Sequence, residues 1–523
     1  MRIGSPVYGL HSFMNSQFSK LRSFLWPIHR HELKLFLPML LIFFLICFNY
    51  NLLRAAKDTL IVTAPFSGAE AIPFIKVWAM LPTAIFMTFL FSRFSTRFGR
   101  EKTFYLMMGI FLSFFFLFAF VLYPLRETLH PHGFADELQK LLPMGCKGLI
   151  TLFRNWTFTA FYVMSEMWSS MIMTVLFWGF ANEITSVPNA KRFYALLGIG
   201  ANFAGIFSGQ MTILLASKLI FLPVGDAWQQ TLILINSVVI IAGMLAIGIF
   251  RHLNKRILPS MGEIPKPEEE VRKPKSGFFQ SFAILGKSKY LLCIAIIVIG
   301  YNLSINLIEV IWKDQVKQLY SNPNDFQCYM GKVYTHMGIL STAIALLLSG
   351  PLIRRFHWSF GAMITPFIML VTGIGFFSFL LFQETSFWGL TALIGSTPLA
   401  VCVFFGSLQN CLARASKYTL FDATKELSFI PLDTEVKLRG KAAIDGVGSR
   451  LGKSGGSLIH QCLLMIFGSV ALSTPYVATI FLIAIVLWMM AVSSLGKKFT
   501  QLISLQKVEP EKPSQPSVEV KEA

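Results

Sequence analysis

Charged side chains stand inside stretches that are otherwise apolar. Arg54, Lys57 and Asp58 close the first long hydrophobic run, in LRAAKDTLIV. Glu166 lies in WTFTAFYVMSEMWSSMIMTVLFW, with about ten mostly apolar residues on either side. Asn302, Asn306, Glu309 and Lys313 fall at i, i+4, i+7 and i+11, which sets them on one face of a helix. Arg450 and Lys453 stand one turn apart in GVGSRLGKSGG. Ionisable groups at membrane depth are costly and mark ion or substrate paths. A carboxylate there must pair with a cation or take a proton, and a cation needs an anionic partner from protein or ligand. Simpler readings stand beside this one. Arg54, Lys57 and Asp58 fit a membrane edge where long side chains snorkel, and Glu309 can pair with Lys313 at i, i+4. Few buried acids are left to neutralise Arg54, Lys57, Arg450 and Lys453 together, and a polyanionic substrate would resolve that imbalance.

The elements that must position these groups are membrane helices. Of the 523 residues, 54% are hydrophobic and only 14% charged, and apolar runs near 20 residues recur along the whole chain. Each is long enough to cross roughly 30 Å of hydrocarbon as a helix, and none alternates as a barrel strand would. About twelve such runs are expected, six on each side of a hydrophilic middle rich in proline and glutamate. The organisation that follows is an N-terminal segment 1–34, a six-helix half 35–252, a linker 253–288, a second six-helix half 289–496 and a disordered tail 497–523. Two segments, 136–151 and 416–430, read as amphipathic helices lying at the interface.

The two halves echo each other. GIGANFAGIFSG at 198–209 overlays GVGSRLGKSGG, pairing Gly198 with Gly446 and Asn202 with Arg450. Tyr50-Asn51-Leu52, with Asp58 eight residues past the tyrosine, repeats as Tyr301-Asn302-Leu303 with Glu309 eight residues past its tyrosine. Repeats at nearly the same offset point to internal duplication. The glycines also allow close helix packing, as small residues do in membranes.

Charge orients the chain. The formal net charge is +19, and with a cytoplasmic N-terminus about 33 of the 46 Lys and Arg fall in the N-terminal segment, the even-numbered loops and the tail. Both termini are therefore expected in the cytoplasm. Basic residues in short loops argue against nucleic acid, which needs a clustered basic face. The seven cysteines form no CxxC pair, and no metal site or cofactor is expected. Gly452-Lys453-Ser454 imitates the end of a phosphate loop, but Val447 occupies the earlier glycine position and no strand precedes it. HExxH and strand-borne GxSxG motifs are absent, so an enzyme is not expected.

In ordered segments running from SFLWPIHRHELK through KDTLIVTAP, RNWTF, FWGFANEI and INLIEVIWK to LFDATKELSFIPLD, GKAAID and GKSGGSLI, the chain resembles the nucleotide transporter family that includes the ATP/ADP translocases of plastids and obligate intracellular bacteria. The resemblance implies an all-α, major-facilitator-like membrane protein that exchanges ATP for ADP across a bacterial inner membrane and works as a monomer. It assigns transport roles to Lys57, Glu166, Glu309 and Lys453. Asn202 and Arg450 join them from their paired positions, and Asn302 or Asn306 would read the base or ribose. Where family exchangers carry an acid beside the first motif, as in LRDTKD, this chain has LRAAKD. Proton-coupled import of nucleoside triphosphates with broader base specificity is the alternative, and phosphate travelling with ADP is a further candidate substrate. The expected mechanism is alternating access, with Lys57, Arg450 and Lys453 on the phosphates and the two glutamates holding cations when the site is empty.

Overall fold

A computed structural model describes residues 26–217, 226–260, 288–348, 357–382 and 395–508, and every regular element among them is helical. Most of the expected linker and tail, and residues 1–25, lie outside these. Nine helices are long and apolar enough to cross a membrane among the described residues. One of the nine, α2 (Ala71–Leu122), carries two expected spans, 71–92 and 104–123. It breaks at Gly99, whose φ of 71° and ψ of 175° are open to glycine alone, so the basic stretch SRFSTRFGREK turns the chain there. The helices over the expected spans 333–352 and 442–467 are not among the nine, because both carry more polar sequence.

The helices fall into two compact units. The first takes the chain to Lys273 together with Val310–Ala343 and Gln461–Ser473. Its centre is α1 (Leu33–Val62), where every residue from Leu52 to Val62 is buried, so that part of the helix is enclosed all round rather than on one face. α5 (Trp156–Ile184), α6 (Val187–Ala216), α7 (Ala227–Ser260) and α9 (Pro323–Ala343) surround it. Between α2 and α5 run two short helices, α3 (His132–Leu141) and α4 (Lys147–Arg154), near the expected interfacial segment. Arg154 ties them together by donating to Asp136 at 2.6 Å. Gly148 lets α4 close onto α2, since a Cβ there would meet the Phe74 ring at 2.5 Å.

His130, just before α3, is packed edge-on against Phe158 with its Nε2 2.7 Å from Thr157 Oγ1. Burial, reinforced by His132 and Arg126, lowers its pKa from 6.5 to about 4, against the opposing pull of Glu127. The folded ring thus stays neutral while the unfolded one takes a proton. The stability present above pH 6.5 is lost as the pH falls toward 4. Melting curves in detergent across that range should show a falling midpoint, and His130→Asn should flatten the slope. An unchanged slope in the variant would assign the acid sensitivity elsewhere.

The second unit comprises Pro274–Glu309, Ile344–His460 and Thr474–Ala523. Its described helices are the first part of α8 (Lys289–Leu319), to Glu309, then α10 (Trp358–Leu381), α11 (Pro398–Ser428), α12 (Thr434–Ala443), α13 (Ser449–Phe467) as far as His460, and most of α14 (Val470–Val508). Tyr301, Phe421 and Trp488 pack ring against ring at 5.0, 5.7 and 6.0 Å and join α8, α11 and α14. That trio explains a departure from expectation. The segment 416–430 does not form a separate interfacial helix: to Ser428 it continues α11 through a π turn, Lys417–Phe421, because Leu420 and Phe421 are buried.

The duplication has a structural counterpart. In α1, Asn51 Nδ2 donates to the Cys47 carbonyl at 2.9 Å, and in α8 Asn302 Nδ2 donates to the Val298 carbonyl at 2.9 Å. The repeated Tyr-Asn-Leu thus places the same side chain on the same backbone position of its own helix.

Candidate functional site

In the first unit the charges of α1 are sealed in the interior. Lys57 Nζ lies 2.7 Å from Asp58 Oδ1 and 3.0 Å from Glu166 Oε1 on α5. Lys313 Nζ, from the outer part of α8, lies 2.9 Å from Asp58 Oδ2. The result is an alternating series, Lys313, Asp58, Lys57, Glu166, whose formal charges cancel. Lys57 and Asp58 are 2% and 0% exposed, so the membrane-edge reading does not hold for them, whereas Glu166 keeps 22%. The Lys57 ammonium also stands 3.9 Å from the centre of the Tyr162 ring. Arg54 faces the Tyr334 ring of α9 at 4.9 Å. A buried ammonium surrounded by two carboxylates and a π-face is well compensated, and a bound anion must compete with those acids for it.

Asn202, half-buried on α6, lies where that helix runs close to α9: a Cβ on Gly338 would lie 2.9 Å from the Asn202 carbonyl. Its backbone therefore belongs to a helix crossing.

In the second unit Glu309 Oε1 accepts from Arg414 Nη2 of α11 at 3.2 Å, with the two side chains 12% and 17% exposed. Asn302 and Asn306 are buried, and each donates to a carbonyl four residues back, Asn306 to Asn302 at 2.8 Å. Above them pass Gly452 and Gly456 of α13, whose Cβ atoms would lie 2.7 and 3.0 Å from the Asn302 and Asn306 Cβ atoms. Packing thus accounts for these two glycines. Gly455, with nothing within 4 Å, is not explained by it. Lys453 is exposed on α13 and its Nζ has no partner among the described residues. Arg450 lies on the same helix, but its side chain is outside those described.

Incongruous charge is thus enough to isolate Lys57, Glu166, Glu309 and Lys453 from sequence, but it misses Arg414. The apolar run expected at 387–411 stops short of it, which leaves Arg414 among the loop cations. A signal is nevertheless present: the overlay that pairs Gly198 with Gly446 pairs Glu166 with Arg414. No group of three or more His, Cys, Asp or Glu able to hold a metal occurs among the described residues. The chemistry the arrangement supports is exchange of ion partners, with a polyanion displacing carboxylates from cations.

Comparison with known proteins places this geometry in a family. The family model described as TLC ATP/ADP transporter matches residues 11–499. The chain is 48% identical over 499 residues to ADP,ATP carrier protein 1 of Chlamydia pneumoniae, covering 94% of this chain and 96% of that protein. It is 41% identical over 490 residues to the chloroplastic ADP,ATP carrier protein 1 of Arabidopsis thaliana, covering 93% of this chain and 77% of that protein. Among solved structures, the crystal structure of a D-xylose-proton symporter aligns with 91% of this chain and 98% of its own at 15% identity and a TM-score of 0.48. With nearly the whole chain matched by the family model and by relatives from bacteria and plastids, this helical membrane protein belongs to the TLC ATP/ADP transporter family.

Proposed function

We propose that this protein exchanges ATP for ADP across a bacterial inner membrane by alternating access, with both termini in the cytoplasm and one chain as the working unit. The observation that carries the reading is the enclosed series Lys313, Asp58, Lys57, Glu166, in which each cation already has an acid. At about 4 Å and an effective dielectric near 20, one charge contact is worth about 4 kcal/mol, so a substrate bearing several negative charges competes with the Asp58 and Glu166 carboxylates for Lys57. Lys57 and Lys453 then hold phosphate oxygens, joined by Arg450. Glu166 and Glu309 keep cations company when no substrate is bound. Asn202 remains a candidate contact for the base or ribose. Asn302 and Asn306, turned onto carbonyls of their own helix, support the packing of α13 more than base reading.

The test is uptake of labelled ATP by proteoliposomes preloaded with ADP, preloaded with nothing, or empty under an imposed proton gradient. Uptake that requires internal ADP is the expected result. Gradient-driven uptake into empty vesicles would replace exchange by proton-coupled import, with Glu166 and Glu309 the groups to examine for the proton.

A further inference from the structure

The ion pairs Lys57–Glu166 and Glu309–Arg414 occupy matching places in the two halves, and the fourth-span member changes sign between them. Each joins the first and fourth spans of its half: α1 to α5 in one, α8 to α11 in the other. One sequence overlay sets Glu166 against Arg414, a change of sign, and the other sets Asp58, the neighbour of Lys57 and its second acid, against Glu309. In the first half the cation comes from the first span and the acid from the fourth. In the second half the acid comes from the first span and the cation from the fourth.

Arg414 is the more open of the two cations, 17% exposed against 2% for Lys57. Its bond to Glu309 is 3.2 Å long, at the outer end of the range for an N–H donor to oxygen. One turn further along α11, Lys417 stands 5.9 Å from the Tyr301 ring and 4.8 Å from the Tyr418 ring. Lys417 pairs with Asp422 at 2.9 Å and Tyr301 is packed against Phe421 and Trp488, so the guanidinium fork of Arg414 is the group here whose geometry matches phosphate oxygens. We propose that Arg414 is a substrate-binding residue that takes phosphate oxygens of the nucleotide, and that Glu309 is the counter-ion it leaves when it does so. This rests on the nucleotide reading above and names a ligand group for it.

The experiment uses the full chain in two assays. In proteoliposomes loaded with ADP, Arg414→Gln should raise KM for ATP about tenfold and KM for ADP less, since the more highly charged substrate loses more, while Arg414→Lys should lie between. Glu309→Gln should lower the maximal rate without raising KM for ATP, because it removes a competitor for Arg414. The reversed pair Glu309→Arg with Arg414→Glu should melt near wild type yet fail to regain wild-type KM. In detergent, ATP and tripolyphosphate should raise the melting temperature of wild type and do so far less for Arg414→Gln. A wild type that neither ligand stabilises and that moves no nucleotide overturns the transport reading itself. A wild type that responds, beside Arg414 variants with normal KM for both nucleotides and normal ligand stabilisation, overturns the role of Arg414 alone and leaves the pair as a structural tie. Recovery of wild-type KM in the reversed pair likewise reduces the pair to a structural tie. Should Arg414→Gln fail to fold, the same comparisons on Arg414→Lys decide the matter.

Discussion

Lys57→Met is expected to abolish exchange and to lower stability by about 3–5 kcal/mol, because it removes one partner from a buried ion pair and leaves the other charge uncompensated. The ammonium is within 3.0 Å of both Asp58 and Glu166 and is 2% exposed, so water cannot take its place at either carboxylate. Asp58 retains Lys313 at 2.9 Å, and Glu166 therefore bears most of the loss. A second substitution separates stability from function. Lys57→Met with Glu166→Gln restores neutrality, and its melting temperature in detergent should recover much of the way. Exchange should stay at least ~100-fold below wild type, since one lost charge contact of about 4 kcal/mol costs nearly three decades of affinity. If the double variant instead carries ATP normally, Lys57 serves to neutralise Glu166 and takes no part in holding phosphate.

Why the charges are legible in the sequence, and their partners are not, follows from the reach of local pattern. Lys57, Glu166 and Glu309 stand out because a charge in an apolar run violates the composition around it, and that violation is visible within one helix. Their partners come from elsewhere. Asp58 is reached by Lys313 across some 250 residues of chain, and no periodicity in either helix encodes that meeting. The spacing of Asn302, Asn306, Glu309 and Lys313 sets them along one helical face, but face does not fix use. The two asparagines spend their donors on carbonyls of α8, while Glu309 is reached by Arg414. Arg414 is hidden because hydropathy marks where apolar residues stop, and α11 continues past that point with its polar residues turned to protein. Glycines divide in the same way: the sequence places them in one helix, and only the neighbouring helix tells which of them must be glycine.

That distinction yields the second large effect. α6 and α9 cross with their backbones in contact: a Cβ on Gly209 would lie 2.7 Å from both the Gly331 carbonyl oxygen and the Thr335 nitrogen, besides meeting the Thr335 hydroxyl. The reciprocal position, Gly331, would place a Cβ 2.9 Å from the Gly209 carbonyl oxygen. Backbone atoms cannot swing aside as a side chain can, so Gly209→Ala should cost about 1–3 kcal/mol. Gly209→Leu should go further and eliminate exchange. Gly205, one turn earlier on the same helix, is the control. Its nearest neighbours to a new Cβ are 3.9 Å away, and alanine is the better helix former by about 1 kcal/mol, so Gly205→Ala should be neutral or slightly stabilising. Both substitutions change helix propensity equally, and any difference between them therefore measures the crossing. α6 belongs to the first repeat and α9 to the second, so this contact ties the two repeats within one compact unit and any alternating motion must preserve or part it. Gly209→Leu that melts and exchanges like wild type would mean that the transport cycle does not pass through this close approach. Loss of exchange with a melting temperature still near that of Gly209→Ala would place the crossing in the cycle itself rather than only in the stability of the fold.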